Sequence, residues 1–262
     1  MIFCRVNNAS SGRAMLGLFL FFLVLWLASL ILLTMYDVNK QNALLRYQAT
    51  KRNGWFVKGS INGRQYTTYR DPKLKFMYGE FSIYVVLKNL GIEGETNIFV
   101  PLVIDKDKRL WLYNKKRAMS FMYMPGRGYY RIPVQDAVFD NKFVVKVKNA
   151  GVDFVKTLFN DEVKKRIMAC PYNSLDIAIH PEIEYGDIIF MEGLHLSLRG
   201  YSKAENDYDI LIDIVKATCD SLKTLGFKPG PVLSEASLLE SFFKGKPMER
   251  QPGAAKLQDI RK

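Results

Sequence analysis

Apolar residues are densest near the start of the chain, where AMLGLFLFFLVLWLASLILLTMY runs from Ala14 to Tyr36 without a charged residue. As a helix, these 23 residues reach about 35 Å and cross a hydrocarbon core of about 30 Å. A cleaved secretory signal is the competing interpretation, but a signal core has about 7–15 residues and no A-x-A-like site follows this run. The pattern therefore predicts one uncleaved transmembrane helix, with span residues Leu16, Leu18, Phe19, Phe22, Leu25, Trp26, Leu30 and Leu33.

The segment after the span, from Asp37 to Gly54, contains helix formers and no strand-like alternation. It predicts a basic juxtamembrane helix or linker that ends at Asn53-Gly54, because Asn and Gly tolerate the left-handed conformation that closes a helix. Further on, Asn62-Gly63 predicts a two-residue type I′ turn between two strand-like segments.

Alternating apolar and polar residues predict a series of strands in the rest of the chain. The clearest runs from Phe81 to Lys88, and TNIFVPLVI and RLWLY follow it, with Pro101 indicating an edge or a break. NKFVVKVKN, NSLDIAIH and IIFMEGLHLSLR alternate as well, and the last indicates a hairpin that turns at Glu192-Gly193. The inward residues of the last two segments are expected to be Leu175, Ile177, Ile179, Leu194, Leu196 and Leu198.

Helical spacing replaces alternation in three places of the second half. AGVDFVKTLFNDEVKKRIM predicts two short helices divided at Asn160-Asp161, with Asn160 capping the second. ENDYDILIDIVKATCDSLKTLGF predicts a long helix that starts at Asn206 or Asp207 and ends at Gly226. SEASLLESFF predicts a short amphipathic helix before a polar tail.

These patterns predict an α+β fold: one N-terminal transmembrane helix followed by a mainly antiparallel sheet domain with two or three packed helices. With 48% hydrophobic and 24% charged residues, the composition is that of a folded domain. The predicted parts are a short segment at 1–13, the transmembrane helix at 14–36, the juxtamembrane segment at 37–54, the α+β domain at 55–230, and a short amphipathic helix with a disordered tail at 231–262.

Basic residues outnumber acidic ones and give a formal net charge of +12. The excess is greatest next to the span, where the segment from Lys40 to Lys75 contains nine Lys or Arg and a single acid, Asp71. Anionic headgroups attract such a segment by about 1 kcal/mol per basic residue near the surface. The predicted partner is therefore the lipid bilayer rather than nucleic acid, with headgroup contacts from Lys40, Arg46, Lys51 and Arg52.

The same charges set the predicted orientation. Arg5, Arg13 and the amino terminus precede the span, and the four headgroup residues follow it, which favours a cytoplasmic carboxyl-terminal domain by one charge. The three cysteines do not describe a disulfide framework, in agreement with a reducing compartment. A pair between Cys170 and Cys219 stays open.

Part of the chain resembles a family of prokaryotic membrane-anchored domains of unknown function. In that family a Phe-Asp-x-x-Phe-x-Val strand precedes a helix that contains a Glu-Val phrase, followed by a hairpin, here Ile188 to Leu198, and a carboxyl-terminal helix. WFVKGSINGRQYTTY is similar to the family's opening hairpin. The resemblance implies an α+β fold and a membrane anchor and brings no known activity; the matching positions are Phe139, Asp140, Phe143, Val145, Leu158, Glu162, Val163 and Ile167.

The densest polar stretch is HPEIEYGDIIFMEGLH. On an extended strand His180, Glu182 and Glu184 point to one side, and His195 approaches from the neighbouring hairpin, which gives two imidazoles and two carboxylates for a metal. The simpler interpretation is that both histidines face solvent, because each falls on the polar phase of an alternating strand. The motifs G-x-S-x-G, H-E-x-x-H, G-x-G-x-x-G and C-x-x-C are absent from the sequence.

These observations favour a non-enzymatic protein without a cofactor. The expected role is an accessory or scaffold subunit of a membrane complex, with protein partners and with its basic domain facing the cytoplasmic leaflet. The alternative hypothesis, from another class, is a membrane-tethered, metal-dependent hydrolase that uses His180, Glu182, Glu184 and His195.

Overall fold

The computed structural model describes residues 8–58, 60–61, 69–70, 72–90, 93–103, 107–117, 127–180, 192–200 and 204–231. Within these ranges the chain forms one long apolar N-terminal helix, a large antiparallel sheet and a few shorter helices. The predicted α+β class is therefore confirmed.

The first helix, α1 (Asn8–Lys51), contains 44 residues and extends about 66 Å. It is long and apolar enough to cross a membrane, and it continues beyond the apolar run without a break. The helix ends where the sequence predicts. Asn53 has a left-handed φ of 49°, and the Gly54 N–H donates to the Ala49 carbonyl at 2.8 Å.

Strands dominate the described chain after α1. Their bounds are β1 (Trp55–Val57), β2 (Ser60–Ile61), β3 (Tyr69–Arg70), β4 (Lys73–Tyr78), β5 (Phe81–Leu90), β6 (Glu93–Val103), β7 (Arg109–Asn114), β8 (Tyr130–Arg131), β9 (Phe143–Lys148), β10 (Leu175–Ile179), β11 (Gly193–Arg199) and β12 (Lys228–Pro229). All but β2 and β3 form one sheet in the order β1-β4-β5-β6-β11-β10-β7-β9-β8, with β12 beside the end of β6. The β10–β11 hairpin is thus inserted between β6 and β7.

Strand pairing confirms most of the alternating segments and corrects the hairpin turn predicted at Glu192-Gly193, because Gly193 is a strand residue that pairs with Pro101. The inward residues expected in β10 and β11 are all buried. Pro101 lies beyond Phe99, the last β6 residue that pairs with β5, which agrees with the expected edge; the strand itself continues without a break to Val103. Ile61 pairs with Tyr69, and the type I′ turn predicted at Asn62-Gly63 falls in the connection between these two residues. Residues 62–63 themselves lie outside the described ranges.

Four shorter α-helices accompany the sheet within the described residues: α2 (Ala137–Lys142), α3 (Val152–Leu158), α4 (Asp161–Ala169) and α5 (Glu205–Thr224). The division between α3 and α4 is as predicted, because the Asn160 side chain accepts from the Val163 N–H at 3.0 Å. The sequence did not predict α2. Phe139 and Asp140, which the resemblance placed in a strand, are helical, and the strand begins only at Phe143.

The long helix α5 also differs slightly from its expected start. It begins at Glu205 rather than at Asn206 or Asp207, and the Asp207 carboxylate accepts from the preceding Ala204 N–H at 2.9 Å. Its end agrees with the sequence, since Gly226 has a left-handed φ of 81°.

The sheet separates two sets of buried side chains. One face carries the main core, which alternate strand residues share with α3, α4, α5 and the end of α1. The other face carries large side chains such as Tyr84, Phe99 and Trp111, which are also buried but lie outside that core cluster. The face covered by helices therefore packs against the end of α1, while the buried side chains of the second face lie outside the main core.

Candidate functional site

The last third of α1 links the apolar helix to the domain. From Met15 to Asp37 the described side chains are exposed, and from Val38 onward buried and exposed positions alternate with helical spacing. Intervals of three and four residues place the buried positions on one side of the helix. These positions are Val38, Gln41, Asn42, Leu45, Gln48 and Ala49. One continuous helix thus has exposed apolar side chains along its first part, and one side of its last part is buried in the domain.

Two glutamines on the buried side of α1 form hydrogen bonds with α5. The Tyr208 hydroxyl donates to Gln41 Oε1 at 3.0 Å in a buried position. The Gln48 side-chain amide donates to the Glu205 carbonyl, in the first turn of α5, at 3.0 Å. Buried polar groups are costly when unpaired, so these bonds select one register of the two helices over a slipped one.

Asp209 of α5 receives two cations from the end of α1. Lys51 Nζ lies 2.8 Å from Asp209 Oδ2, and Arg52 Nη2 lies 2.5 Å from Asp209 Oδ1. Burial acts to raise the pKa of Asp209, but hydrogen bonds from Lys51 and Arg52 outweigh it and hold that pKa below its ordinary value. The hydrogen bond with Asp209 raises the pKa of Lys51. The carboxylate and the ammonium are therefore both charged at neutral pH.

Aromatic rings pack against two arginines near the end of α1. The Arg46 guanidinium lies 5.7 Å from the centre of the Phe56 ring on β1, and that of Arg52 lies 5.6 Å from the Phe76 ring on β4. Arg52 also donates to the Gln48 side chain. Cation–π contacts of this kind contribute about 0.5–1 kcal/mol at exposed sites. They hold the first strands of the sheet alongside α1.

The four predicted headgroup residues divide into two pairs. Lys51 and Arg52 contact Asp209, and Lys51 lies about 22 Å beyond Tyr36 along the helix axis. Lys40 and Arg46 are exposed, about 6 and 15 Å beyond Tyr36. Because the headgroup layer is about 5–8 Å thick, Lys40 is best placed for lipid contact. The headgroup role of all four stays a prediction.

The eight predicted span residues are all exposed on α1, from Leu16 to Leu33. A helix in a soluble core would bury at least one side, whereas this part has large apolar side chains on every side. By length and composition, this helix could cross a membrane.

The two candidate metal-binding histidines are buried, and the solvent-facing interpretation is wrong. His180 is 2% exposed and His195 is 8% exposed, because both faces of this sheet are covered where they lie. His195 packs on the Phe99 ring at 4.6 Å between centroids, on the second face. His180 has a φ of 46°, and its ring lies 6.3 Å from that of Phe227, a residue of the main core.

The histidines therefore have different neighbours, and the described contacts do not bring them together at one site. Within the part of the chain that the structure describes, no group of three potential metal ligands occurs. Glu182 and Glu184 lie outside that part. The set of four ligands stays a prediction.

A row of side chains crosses the second face of the sheet, and sequence reasoning missed it. Strand register aligns residues from β4 to β9 in one line: Lys75, Tyr84, Phe99, His195, Ala178, Trp111 and Lys146. Lys75 Nζ lies 5.6 Å from the centre of the Tyr84 ring, and burial lowers the pKa of Lys75. Of this row, alternation assigned His195 to solvent; the available signal was the size of the three aromatic residues.

Cys170 and Cys219 are both free and buried, so the open question of their pairing is answered. Burial raises the pKa of both thiols. A thiol that stays protonated in an apolar site is a poor nucleophile and packs as a small apolar group.

No protein-family model, curated protein or solved structure matches this chain. The resemblance to prokaryotic membrane-anchored domains gains no support from these comparisons.

Proposed function

We propose that the protein is a single-span, membrane-anchored accessory or scaffold subunit, whose domain is held at the cytoplasmic leaflet in a fixed orientation. One observation carries the proposal: α1 is a single helix whose apolar part is exposed and whose last part, from Val38 to Ala49, is built into the domain. An anchor that served only as a tether would need no such continuity.

The junction explains why a scaffold role suits this geometry. A flexible linker lets a domain sample many heights and orientations above a bilayer. Here Leu45 is in the main core, Gln41 and Gln48 bond to α5, and Asp209 engages two cations. Rotation of the domain about the helix would break these contacts together. The domain is thus presented to partners in one orientation, which reduces the entropic cost of assembly.

Insertion is tested by alkaline carbonate extraction of membranes that contain the full chain. We expect the protein to stay in the pellet and to keep its intact mass, because an uncleaved span is not released by high pH. A matched pair of variants, Leu25→Arg in the apolar run and Tyr47→Arg on the exposed side beyond it, separates the span from the rest of α1. Release of the unmodified protein, or a mature form that lacks residues 1–36, would contradict the proposal.

Sidedness needs a reporter on the domain surface, because Cys170 and Cys219 are buried. Val138 is 68% exposed, so Val138→Cys in a Cys4→Ser background gives an accessible thiol. We expect a membrane-impermeant maleimide to label it only after the membrane is opened. Labelling in intact cells would place the domain on the opposite side and would remove the cytoplasmic part of the proposal.

The scaffold role is tested by native purification in mild detergent. We expect other membrane proteins to co-elute with the full chain at a fixed ratio, and we expect that ratio to fall in a variant that loosens the junction, such as Leu45→Ala. A protein that elutes alone from its native membrane would count against the scaffold role and leave the anchor intact.

A further inference from the structure

The chain reverses direction where α1 ends. The Gly54 N–H bonds to the Ala49 carbonyl at 2.8 Å, so the first residue after the turn is level with the last turn of the helix. Two residues later, Phe56 lies under Arg46, which is a turn closer to the apolar run. β1 therefore runs antiparallel to α1 and returns toward Tyr36, where the apolar run ends.

Helix and strand geometry give the heights of these residues above Tyr36. The thirteen steps from Tyr36 to Ala49 rise about 20 Å along the helix, and the Gly54 N–H, which bonds beyond the Ala49 carbonyl, lies about 5 Å farther out. The four steps from Gly54 to Lys58 return about 13 Å as extended chain. Lys58 is then about 12 Å beyond Tyr36, between the heights of Lys40 and Arg46, although it follows Lys51 in sequence.

β4 confirms which end of the sheet lies at this level. It pairs with β1 so that Lys73 is opposite Val57 and Lys75 is opposite Trp55. The strand therefore starts near the level of Lys58 and leads away from it, toward Tyr78 and the turn at Gly79 and Glu80.

We propose that this end of the domain, where β1 ends and β4 begins, faces the bilayer and binds anionic phospholipid headgroups through Lys40 and Lys58. Both lysines are exposed. Asp37 on α1 and Glu95, which lies opposite Lys88 beyond the level of Lys73, are acids at the same end and offset part of their charge. Lys51 lies about 10 Å farther out than Lys58 and about 16 Å farther out than Lys40, and it contacts Asp209.

This inference rests on the proposed insertion of α1 and replaces part of the headgroup set predicted from sequence. Proximity along the chain selects Lys51 and Arg52, whereas the reversal at Gly54 brings the later Lys58 nearer to the lipid. The partner is a lipid surface rather than free phosphate, because α1 places Lys40 at headgroup depth and the reversed chain brings Lys58 within side-chain reach of it.

Lysine acylation in the wild-type chain tests the contact without a substitution. The full chain is reconstituted in vesicles of pure phosphatidylcholine or with about one-third phosphatidylglycerol, and each lysine's modification rate by a neutral reagent is read by mass spectrometry. We expect anionic lipid to slow Lys40 and Lys58 about threefold or more, with recovery at about 0.5 M salt. Lys223, at the far end of the domain beside Glu80, is the internal control.

Equal rates for Lys58 in the two vesicles would overturn the proposal. Slowing that inorganic phosphate in neutral vesicles reproduces would overturn the assignment to lipid. A drop in the rate of Lys223 equal to that of Lys58 would show a general surface effect and would also count against a specific face.

A depth measurement separates the orientation of the domain from the insertion of α1. Single labels at Leu25→Cys, Thr50→Cys and Lys58→Cys, each in a Cys4→Ser background, are read with headgroup and acyl-chain quenchers. We expect headgroup quenching to be stronger at position 58 than at position 50, against their order in sequence. An inserted chain with the reverse order would refute the orientation alone, and an unquenched position 25 would refute the insertion.

Discussion

Replacement of Leu45 by alanine tests whether α1 is part of the domain. Leu45 is 0% exposed and belongs to the main core, although it lies only nine residues beyond Tyr36. Transfer of a leucine side chain from water to a core contributes about 1.5–3 kcal/mol, and the cavity left behind adds to the loss. We expect Leu45→Ala to lower the free energy of unfolding by about 3 kcal/mol, which corresponds to about 6–12 °C in Tm for a domain of this size.

The assay is urea unfolding of the full chain in mild non-ionic detergent, followed by near-ultraviolet circular dichroism. Tyr47, two residues farther along α1, is 45% exposed and supplies the matched control. Tyr47→Ala should cost less than about 1 kcal/mol, because surface substitutions change stability little. If the two variants lost equal stability, or if Leu45→Ala lost less than about 1 kcal/mol, then α1 would not be docked on the domain.

Three further substitutions test other contacts. Asp209→Asn should lower stability by about 1 kcal/mol at pH 7, because its partly exposed ion pairs are screened. Since the pKa of Asp209 is below the ordinary 3.8, the stability it adds is present above that value and lost as the pH falls through the native pKa, so unfolding curves of variant and wild type should converge in acid. Asn160→Ala should cost about 1 kcal/mol through the lost cap of α4, measured by urea unfolding. Gly193→Ala should cost about 2 kcal/mol or more, since its Cβ would clash with the Val100 carbonyl oxygen, whereas Gly151→Ala has open space and should fold normally. A Gly193 variant as stable as the Gly151 one would show that β11 does not approach β6 so closely.

Local patterns in the sequence were sufficient for most of the elements, although not for α2. Three features depend only on residues within one or two turns and can therefore be predicted from the local sequence. They are the unbroken apolar run, the end of α1 at Asn53-Gly54 and the Asn160 cap. The order of strands depends on distant pairing. Nothing near Gly193 or Leu110 indicates that the β10–β11 hairpin separates β6 from β7, because alternation gives a strand's faces but not its neighbours.

For the same reason, the sequence indicated only part of the junction between α1 and the domain. Basic residues after the span suggested lipid, since their number and position can be counted. Asp209, which contacts Lys51 and Arg52, is more than 150 residues away from them, and the turn at Gly54 reverses the chain. The burial of His195 escaped notice because alternation marks a polar position as outward, whereas this sheet buries side chains on both faces.

A spin-label scan of α1 from Leu16 to Lys51, in the full chain reconstituted in liposomes, tests the central claim most directly. Oxygen reports lipid exposure and a water-soluble nickel complex reports aqueous exposure. We expect high oxygen accessibility without periodicity up to Leu33, then minima in both signals at Val38, Leu45 and Ala49, spaced as on one helix. Low oxygen accessibility in the apolar run, or loss of the helical period between the run and Ala49, would contradict a single helix that crosses the membrane and enters the domain.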